Sequence, residues 1–409
     1  MAAIHGGAAL LLSLLLVGAS SAAQNQQIDC PLNYWKAPDR MLFGGLQDSM
    51  CSKPDGAHCD RSGWWWEQCK NPTSSNAFGV CNEQQRADAL SIAQQLQGGA
   101  PLKTTPCDLY PFLRGRTLWL IGDSHTKQLF KAMQCFLIDF WDQAECAASP
   151  EDWVNAGLNA LPVKKGESKC IHLMGEGRIC YVGAVLGTSL LENPQVAGGG
   201  VLTFIRGHKE TGAKWNDIFV INFGVWHNKQ GREGLQNYRT ALTQLGEDYQ
   251  RNKDKWPYLF FRETPMSHEK DMQTMACKPP PQGWGLDYRR GEIFIQPNAR
   301  SASAQAIVRG GSLNAPAREI LAKYNVPLIG GYALSVPLAA SHPGTRGTSA
   351  LDCLHFCSFG LPELITYELA RAFRSGAAGV APTPWVDPSK RLPCRASGGG
   401  SRRLLSAAH

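Results

Sequence analysis

The chain has 409 residues, 43% of them apolar and 18% charged, which fits a globular protein of one large domain or two smaller ones. The 41 Lys and Arg residues against 34 Asp and Glu give a formal charge of +7. Because the basic residues are not interleaved with aromatic ones, the sequence argues against a nucleic-acid-binding protein; a mildly basic surface suits an acidic polysaccharide, an anionic membrane face or no special partner.

The N-terminus has the layout of a signal peptide. An apolar run over residues 8–17 is followed by small residues up to Ala23, the order of a hydrophobic region and a cleavage site. The run is short for a membrane span, which takes about 20 residues. We therefore predict that residues 1–23 are removed by cleavage after Ala23, with an uncleaved anchor as the alternative. No other stretch predicts a membrane helix.

The cysteines indicate a disulfide framework. All 14 follow Ala23, and an even number in a secreted chain allows up to seven bridges. Five of them fall between Cys30 and Cys81, so we predict a disulfide-rich N-terminal lobe over residues 24–106, with one helix at 83–97. Zinc-ligand spacing is absent, and we predict no metal site. The expected location is the secretory pathway.

From residue 107 the sequence alternates between strands and helices. Predicted strands lie at 117–121, 178–182, 201–205, 217–221, 258–261 and 327–329. Predicted helices lie at 127–138, 234–252, 315–324 and 361–373. This alternation predicts an α/β domain over 107–375, a three-layer sandwich with a mostly parallel central sheet. Residues 376–409, rich in Gly, Ala, Pro and Ser, are expected to form a disordered low-complexity tail.

The first chemical motif is Gly122-Asp123-Ser124, between a predicted strand and a predicted helix. This position is the carboxyl edge of the sheet, where open α/β folds bind ligands. A serine there is a candidate nucleophile, and its backbone N–H lies at the positive end of the helix, where it can stabilise an oxyanion. The alternative is structural: Asp123 or Ser124 simply caps the helix.

The second motif is Asp352-Cys-Leu-His355, near the end of the predicted domain. A nucleophilic serine needs a base within hydrogen-bond reach, and the base needs a carboxylate to orient it. A spacing of three residues puts both groups on one short turn, and disulfides at Cys353 and Cys357 would stiffen it. The alternative is a loop histidine beside a capping aspartate. Four other histidines lie outside both motifs and are interpreted as loop or surface residues: His58, His172, His208 and His342.

The two motifs, in this order, resemble those of the SGNH (GDSL-type) hydrolase superfamily. Four ordered blocks are similar to the plant trichome-birefringence-like proteins, the PC-esterase family of polysaccharide O-acetyltransferases. The likeness covers residues 107–375. The blocks are Phe112–Gln128, Ile221–His227, Phe260–Pro265 with His268 beyond it, and Asp352–Cys357 with Gly360-Leu-Pro362.

The resemblance implies an SGNH-like fold and roles for individual residues. Ser124 would be the nucleophile, His355 the general base and Asp352 the carboxylate that orients it. A second group would bind the oxyanion or the substrate. In that group Asn222 would supply the side chain of the oxyanion hole, and Gly224 would let the substrate approach the backbone. Arg262 would support the substrate or the structure. Asp123 and His227 are the remaining two residues of the group.

The resemblance also implies the reaction. We expect acetyl transfer from an acyl donor, such as acetyl-CoA or another acetylated donor, to a polysaccharide or oligosaccharide acceptor, with no bound cofactor. The superfamily at large favours a hydrolase, so a carbohydrate acetylesterase is the alternative within the same chemistry. A non-catalytic carbohydrate-binding wall protein is the alternative from another class. The sequence predicts no particular oligomeric state.

Overall fold

A computed structural model of the chain describes residues 79–383 apart from several gaps. The predicted signal peptide, most of the cysteine-rich segment and the residues from 384 onward lie outside the described residues. The gaps within the described part are residues 97, 100–103, 105, 138–139, 141–148, 151–156, 158–167, 192, 209–211, 298, 300 and 347–349.

The described chain alternates between helices and strands for most of its length. The α-helices are α1 (Glu83–Leu96), α2 (Ser124–Phe136), α3 (Val201–Gly207), α4 (Val225–Lys229), α5 (Gly231–Asn252), α6 (Ala302–Arg309), α7 (Gly311–Ala322), α8 (Tyr332–Ser335) and α9 (Leu361–Arg374). The strands are β1 (Thr117–Gly122), β2 (Ser149–Pro150), β3 (Ser168–Leu173), β4 (Gly177–Gly183), β5 (Ile218–Asn222), β6 (Leu259–Arg262), β7 (Glu269–Asp271), β8 (Ala276–Lys278), β9 (Trp284–Asp287), β10 (Glu292–Ile295), β11 (Leu328–Ile329), β12 (Gly344–Arg346) and β13 (Ala350–Asp352).

A central sheet organises these elements. It has seven strands in the order β11-β6-β5-β1-β4-β3-β2. The neighbours from β11 to β4 pair in parallel, whereas β3 and β2 add an antiparallel edge. The predicted α/β class with a mostly parallel central sheet is therefore confirmed. Two further hairpins, β7–β8 and β9–β10, lie between β6 and α6 and were not predicted.

Each face of the central sheet packs against helices. Successive side chains of a strand point to opposite faces, so Leu118 and Leu120 of β1 join one apolar core while Trp119 and Ile121 join another. The first core also contains residues of α1, α2 and α9, and the second contains residues of α3, α5 and α7. The strands of β1 and β5 are buried along their whole length, as expected for parallel strands covered on both sides.

One predicted strand is wrong. Residues 201–205 form the start of helix α3 instead. Val201, Leu202, Phe204 and Ile205 are buried while Thr203 between them is exposed, which is the spacing of one helical face. A short apolar run does not by itself distinguish a strand from a buried helix, and the polar Thr203 was the available signal.

Both ends of the described chain pack onto the same body. At the N-terminal end, Cys81 is disulfide-bonded to Cys357, and α1 contributes to the core that contains α9. At the C-terminal end, Val380 is buried and the Thr383 N–H donates to the Pro111 carbonyl at 3.0 Å. The ordered domain thus extends beyond residue 375, into the segment expected to be disordered, and it includes part of the predicted N-terminal lobe.

The cysteine prediction is confirmed within the described residues. Disulfides join Cys170 to Cys180 and Cys277 to Cys353 in addition to the bridge at Cys81, and Cys107 and Cys135 are also disulfide-bonded. No helix in the part of the chain that the structure describes is both long and apolar enough to cross a membrane.

Candidate active site

The nucleophile turn, residues 122–124, joins β1 to α2. A Cβ on Gly122 would lie 2.2 Å from the Asn222 main-chain oxygen, so only glycine allows β1 and β5 to approach this closely at the turn. Asp123 is the N-cap of α2, and its Oδ1 accepts a hydrogen bond from the His125 N–H at 3.0 Å. Ser124 is the first residue of the helix and is partly exposed at the carboxyl edge of the sheet.

The structure brings the two sequence motifs together. The Ser124 Oγ lies 2.7 Å from His355 Nε2, and His355 Nδ1 lies 2.9 Å from Asp352 Oδ2. The other carboxylate oxygen of Asp352 accepts the main-chain N–H groups of Leu354 and His355, at 3.1 and 3.0 Å. A serine, an imidazole and a carboxylate in hydrogen-bond sequence form the arrangement that activates a nucleophilic hydroxyl.

The Asp352 carboxylate is set up to stay ionised. Partial burial opposes its charge, but the hydrogen bonds from the side chain and main chain of His355 outweigh burial and bring the pKa of Asp352 well below its ordinary value. An ionised carboxylate beside Nδ1 favours the imidazole tautomer that carries its hydrogen on Nδ1, so Nε2 faces Ser124 as a proton acceptor. His355 therefore presents a basic nitrogen to the serine hydroxyl.

The histidine loop, residues 352–360, has little regular secondary structure and is fastened by cross-links. Cys353 is bonded to Cys277 of β8, and Cys357 is bonded to Cys81 ahead of α1. The Ser358 main chain adds hydrogen bonds to the same N-terminal segment, and Gln128 of α2 donates to the Phe356 carbonyl. The predicted disulfides on either side of His355 are thus confirmed.

A cavity of about 720 Å³ opens beside His355 and Asp352. Its volume is in the range of small-molecule sites. Apolar groups line part of the wall and amides, hydroxyls and two lysines line the rest, so a ligand with both a hydrocarbon or sugar-ring surface and polar groups would suit it. Residues that line the cavity include Val225, Lys229, Thr264, Lys270, Leu313 and Tyr332.

Asn222 differs from the sequence prediction. It is fully buried at the end of β5, where its Nδ2 donates to the Arg262 carbonyl at 2.9 Å and to Thr264 Oγ1 at 3.0 Å. Its Oδ1 accepts from Arg262 Nη2 at 2.6 Å. Because an amide has two hydrogens and both are used, this arrangement leaves none for an oxyanion. Asn222 belongs to the framework behind Ser124, contrary to the predicted role as an oxyanion donor.

Arg262 is the centre of that framework. It is fully buried, and besides the bond to Asn222 its guanidinium donates to Thr126 Oγ1 at 3.3 Å and to the Glu263 carbonyl at 3.1 Å. The resemblance allowed Arg262 either a substrate-binding or a structural role. Its contacts are those of a structural residue, and it does not line the cavity. Burial lowers the pKa of Arg262 to about 10, so the guanidinium remains charged at neutral pH.

Asp123 is the second titratable member of this framework. Burial raises the pKa of its carboxyl, and the positive charge of Arg262 opposes that rise. Its side chain caps α2 and does not line the cavity, so the capping interpretation of the sequence describes its contacts. The framework residues therefore hold the nucleophile turn from within the protein.

Two further predicted site residues have structural contacts. His227 is buried, its Nε2 accepts the Gly187 N–H at 2.9 Å, and burial lowers its pKa to about 4, so it is a neutral side chain in the core. Gly224 has φ of +152°, and a Cβ there would lie 3.2 Å from Thr264 Oγ1 and 3.3 Å from Leu313. Glycine is needed at this position for backbone conformation and packing next to the cavity.

Sequence reasoning missed the pair that shapes the wall of the cavity. Thr264 and Asn314 exchange two hydrogen bonds, from the Thr264 N–H to Asn314 Oδ1 at 2.8 Å and from Asn314 Nδ2 to the Thr264 carbonyl at 2.9 Å. Thr264 stood in one of the quoted blocks, but nothing in the sequence linked it to a residue 50 positions away. His342 and His172, interpreted as loop or surface histidines, are both buried.

The described residues contain no group of three or more His, Cys, Asp or Glu side chains placed to hold a metal ion. No protein-family model matches the chain, and no curated protein matches it significantly. The functional interpretation therefore depends on the geometry around Ser124 and on the motifs of the sequence.

Proposed function

We propose that this protein is a serine-nucleophile O-acyltransferase that transfers acetyl groups to polysaccharide in the secretory pathway. The observation that carries the proposal is the hydrogen-bonded sequence from Ser124 through His355 to Asp352, at 2.7 and 2.9 Å. The helix-cap alternative accounts for Asp123 but gives no reason for an imidazole on the serine hydroxyl. The α/β fold with a mostly parallel central sheet supports the three-layer SGNH-like architecture that the resemblance implies.

In the first half-reaction, Ser124 Oγ attacks the acyl carbon of the donor while His355 Nε2 takes the hydroxyl proton. The negative charge that develops on the acyl oxygen would lie near the Ser124 main-chain N–H, which begins α2 and has no acceptor within its helix. The bond to the leaving group then breaks, and His355 returns the proton to that group. An acetyl-serine and the free leaving group result.

In the second half-reaction, a hydroxyl of the acceptor gives its proton to His355 and attacks the acetyl-serine carbon. The Ser124 Oγ leaves and recovers the proton, so the enzyme is restored and one ester has replaced another. Ionised Asp352 stabilises the imidazolium that forms in each half. The mixed apolar and polar wall of the 720 Å³ cavity supports a sugar or an acyl donor as the ligand beside His355.

Two alternatives follow from the same site. If water takes the place of the sugar hydroxyl in the second half-reaction, the protein is a carbohydrate acetylesterase. If Ser124 never forms an acyl intermediate, it is a carbohydrate-binding protein that retains the fold. The resemblance to polysaccharide O-acetyltransferases favours the transferase over both, with a chain that acts in the Golgi lumen or at the cell exterior and wall.

The test incubates the mature protein with a chromogenic acetyl ester, with and without an oligosaccharide acceptor. Acetylated oligosaccharide, detected by mass spectrometry, is the expected product; acetate release alone would identify an esterase. Ser124→Ala should abolish both reactions, with a loss of about a thousandfold or more in kcat. Ser91→Ala, in the exposed surface of α1, is the matched control and should retain full activity.

A second measurement examines the nucleophile directly. A fluorophosphonate probe should label Ser124 in the wild-type protein and fail to label the Ser124→Ala variant. If the wild type turns over the ester while Ser124 stays unlabelled, or if Ser124→Ala is as active as wild type, the nucleophile assignment is wrong. A protein that binds oligosaccharide and shows neither labelling nor turnover would support the non-catalytic alternative.

A further inference from the structure

Two buried histidines lie directly behind the histidine loop and have no part in the proposed reaction. His268 lies in the segment between β6 and β7, and His342 lies between α8 and β12. Both are 4% exposed, and their ring centroids are 4.9 Å apart. Phe356 of the histidine loop covers the ring of His342 at 4.2 Å between centroids.

Three contacts join these rings to the main chain and to each other. His268 Nε2 lies 3.0 Å from the Val336 carbonyl oxygen, and His268 Nδ1 lies 2.7 Å from His342 Nε2. His342 Nδ1 lies 2.5 Å from the carbonyl oxygen of His355. All four ring nitrogens are therefore in hydrogen-bond contact. This run of contacts begins at the Val336 carbonyl and ends at the carbonyl of His355, the proposed general base.

The number of hydrogens follows from these contacts. A carbonyl oxygen only accepts, so each of the two nitrogens facing a carbonyl must carry a hydrogen. The nitrogen-to-nitrogen contact needs one hydrogen between the rings. Two neutral imidazoles carry one ring N–H hydrogen each, so three such hydrogens on the two rings mean one extra proton. We propose that His268 and His342 share one extra proton and that this protonated pair is a positioning unit for the main chain of His355.

The surroundings explain why the pair carries one charge and not two. Burial lowers the pKa of His268, and it lowers the pKa of His342 to about 4, which opposes charge on either ring. The geometry favours the shared proton against burial, because a neutral pair cannot satisfy all three contacts, whereas His227 Nε2 accepts a hydrogen bond, which a neutral ring satisfies. The nearby Asp352 carboxylate favours the proton, whereas the His355 ring opposes it. His125 of α2 also faces His342, but burial and the charges of its neighbours bring its pKa well below the ordinary value, so it stays neutral.

Removal of the shared proton must break a contact. With two hydrogens left, one of the three contacts has no hydrogen: the contact between the rings, that between His342 and the His355 carbonyl, or that between His268 and the Val336 carbonyl. Each arrangement puts two acceptors at hydrogen-bond distance, so that contact opens. Since the pair loses its proton as the pH rises, the run of contacts from Val336 through both rings to the His355 carbonyl should be complete in acid and interrupted at one contact in base, which weakens the support of His355.

The first test counts ring hydrogens by ¹⁵N NMR on the full-length protein labelled in its histidine imidazoles. At about pH 5 we expect three hydrogens on the four nitrogens of His268 and His342, with one bridging the rings, and we expect two as the pH is raised. His227, whose Nε2 accepts the Gly187 N–H, is a buried neutral reference in the same spectrum. Two hydrogens on the pair at about pH 5 would overturn the proposal, whether or not the protein has acyltransferase activity.

The second test uses variants and rests on the proposed function. His342→Phe keeps an aromatic ring but removes both hydrogen bonds, and kcat should fall about tenfold with little change in KM. In His342→Asn the amide can replace Nδ1 as the donor to the His355 carbonyl, so kcat should stay within about threefold of wild type and lose the pH dependence of the pair. His172→Phe, a buried histidine of β3, is the control and should leave kcat unchanged.

The outcomes separate the two proposals. Equal losses in His342→Phe and His342→Asn, or no loss in His342→Phe, would contradict the positioning role even in an active enzyme. If the wild type and Ser124→Ala have the same activity, the proposed function fails, and the count of ring hydrogens alone decides whether the pair shares a proton.

Discussion

The two halves of the candidate active site are held in place by different means. The nucleophile turn directly follows β1, an inner strand of the central sheet, and is supported by a buried polar framework of Asp123, Asn222 and Arg262. The histidine loop lies outside that sheet and is fastened by two disulfides and by hydrogen bonds from distant segments. One half is thus part of the core, while the other is attached to it.

This difference predicts different consequences of mutation. A change in the framework behind Ser124 should act on the whole fold, because β1, β5 and β6 meet there. A change in the attachments of the histidine loop should act first on the distance between His355 and Ser124. Stability and activity measured side by side can therefore separate the two halves.

The largest effect is expected for Arg262→Met. The substitution removes the cation beside the buried Asp123 and leaves the Asn222 amide oxygen without its donor, so the free energy of unfolding should fall by about 3–5 kcal/mol. Chemical denaturation monitored by tryptophan fluorescence measures the change. Arg290→Met, whose side chain is 74% exposed, is the matched control and should change stability by less than about 0.5 kcal/mol.

A double variant tests the physical reason for this loss. Asp123→Asn keeps a good helix cap, because asparagine caps helices as well as aspartate does, and it removes the buried carboxyl that interacts with the charge of Arg262. Asp123→Asn combined with Arg262→Met should therefore be more stable than Arg262→Met alone. Equal stability of the single and double variants would contradict the electrostatic explanation.

The next effect concerns the histidine loop. Cys277→Ser with Cys353→Ser removes a bridge between residues 76 positions apart, and the free energy of unfolding should fall by about 2–4 kcal/mol. Because the bridge is one residue from Asp352, kcat and the rate of Ser124 labelling should fall even at temperatures where the variant is folded. Circular dichroism establishes that the fold is retained.

The control for this loop is a bridge elsewhere. Cys170→Ser with Cys180→Ser removes the disulfide between β3 and β4, which closes only 10 residues at the edge of the sheet. It should cost less stability and leave the labelling rate of Ser124 within about twofold of wild type. Equal losses of labelling in both double variants would show that the effect is global, and the comparison between the two halves would fail.

The sequence predicted those features of the fold and of the candidate site that depend on local patterns. The strands β1, β5 and β6 and the helix α9 were predicted because their apolar patterns are local. The two motifs also predicted that Ser124, Asp352 and His355 would meet, since each motif is short and the α/β order places them at one edge. Residues 201–205 were assigned to the wrong element because five apolar-rich residues are too few for their period to decide.

What the sequence could not predict depends on contacts between distant segments. The role of Asn222 changed because its amide meets Arg262 and Thr264, which lie 40 or more positions away. The burial of His342 likewise depends on His268 and Phe356, neither of which is near it in the chain. Pattern and spacing carry no record of such pairings, so framework residues were interpreted as ligand-binding ones.

The smallest predicted effect lies where the histidine loop ends and α9 begins. Glu363, in the first turn of α9, accepts the Gly360 N–H at 2.8 Å, and burial raises its pKa from an ordinary 4.5 to about 7. A pKa raised in the folded state contributes stability that is complete below about 4.5 and is lost as the pH rises to about 7. Relative to Glu363→Gln, the wild type should therefore lose about 1–3 kcal/mol between these pH values. Denaturation curves measured across this pH range test the prediction, and Glu319→Gln, at an exposed position of α7, is the control. A stability difference that does not vary with pH would mean that Glu363 remains ionised. The end of the loop would then be fastened by a charged cap.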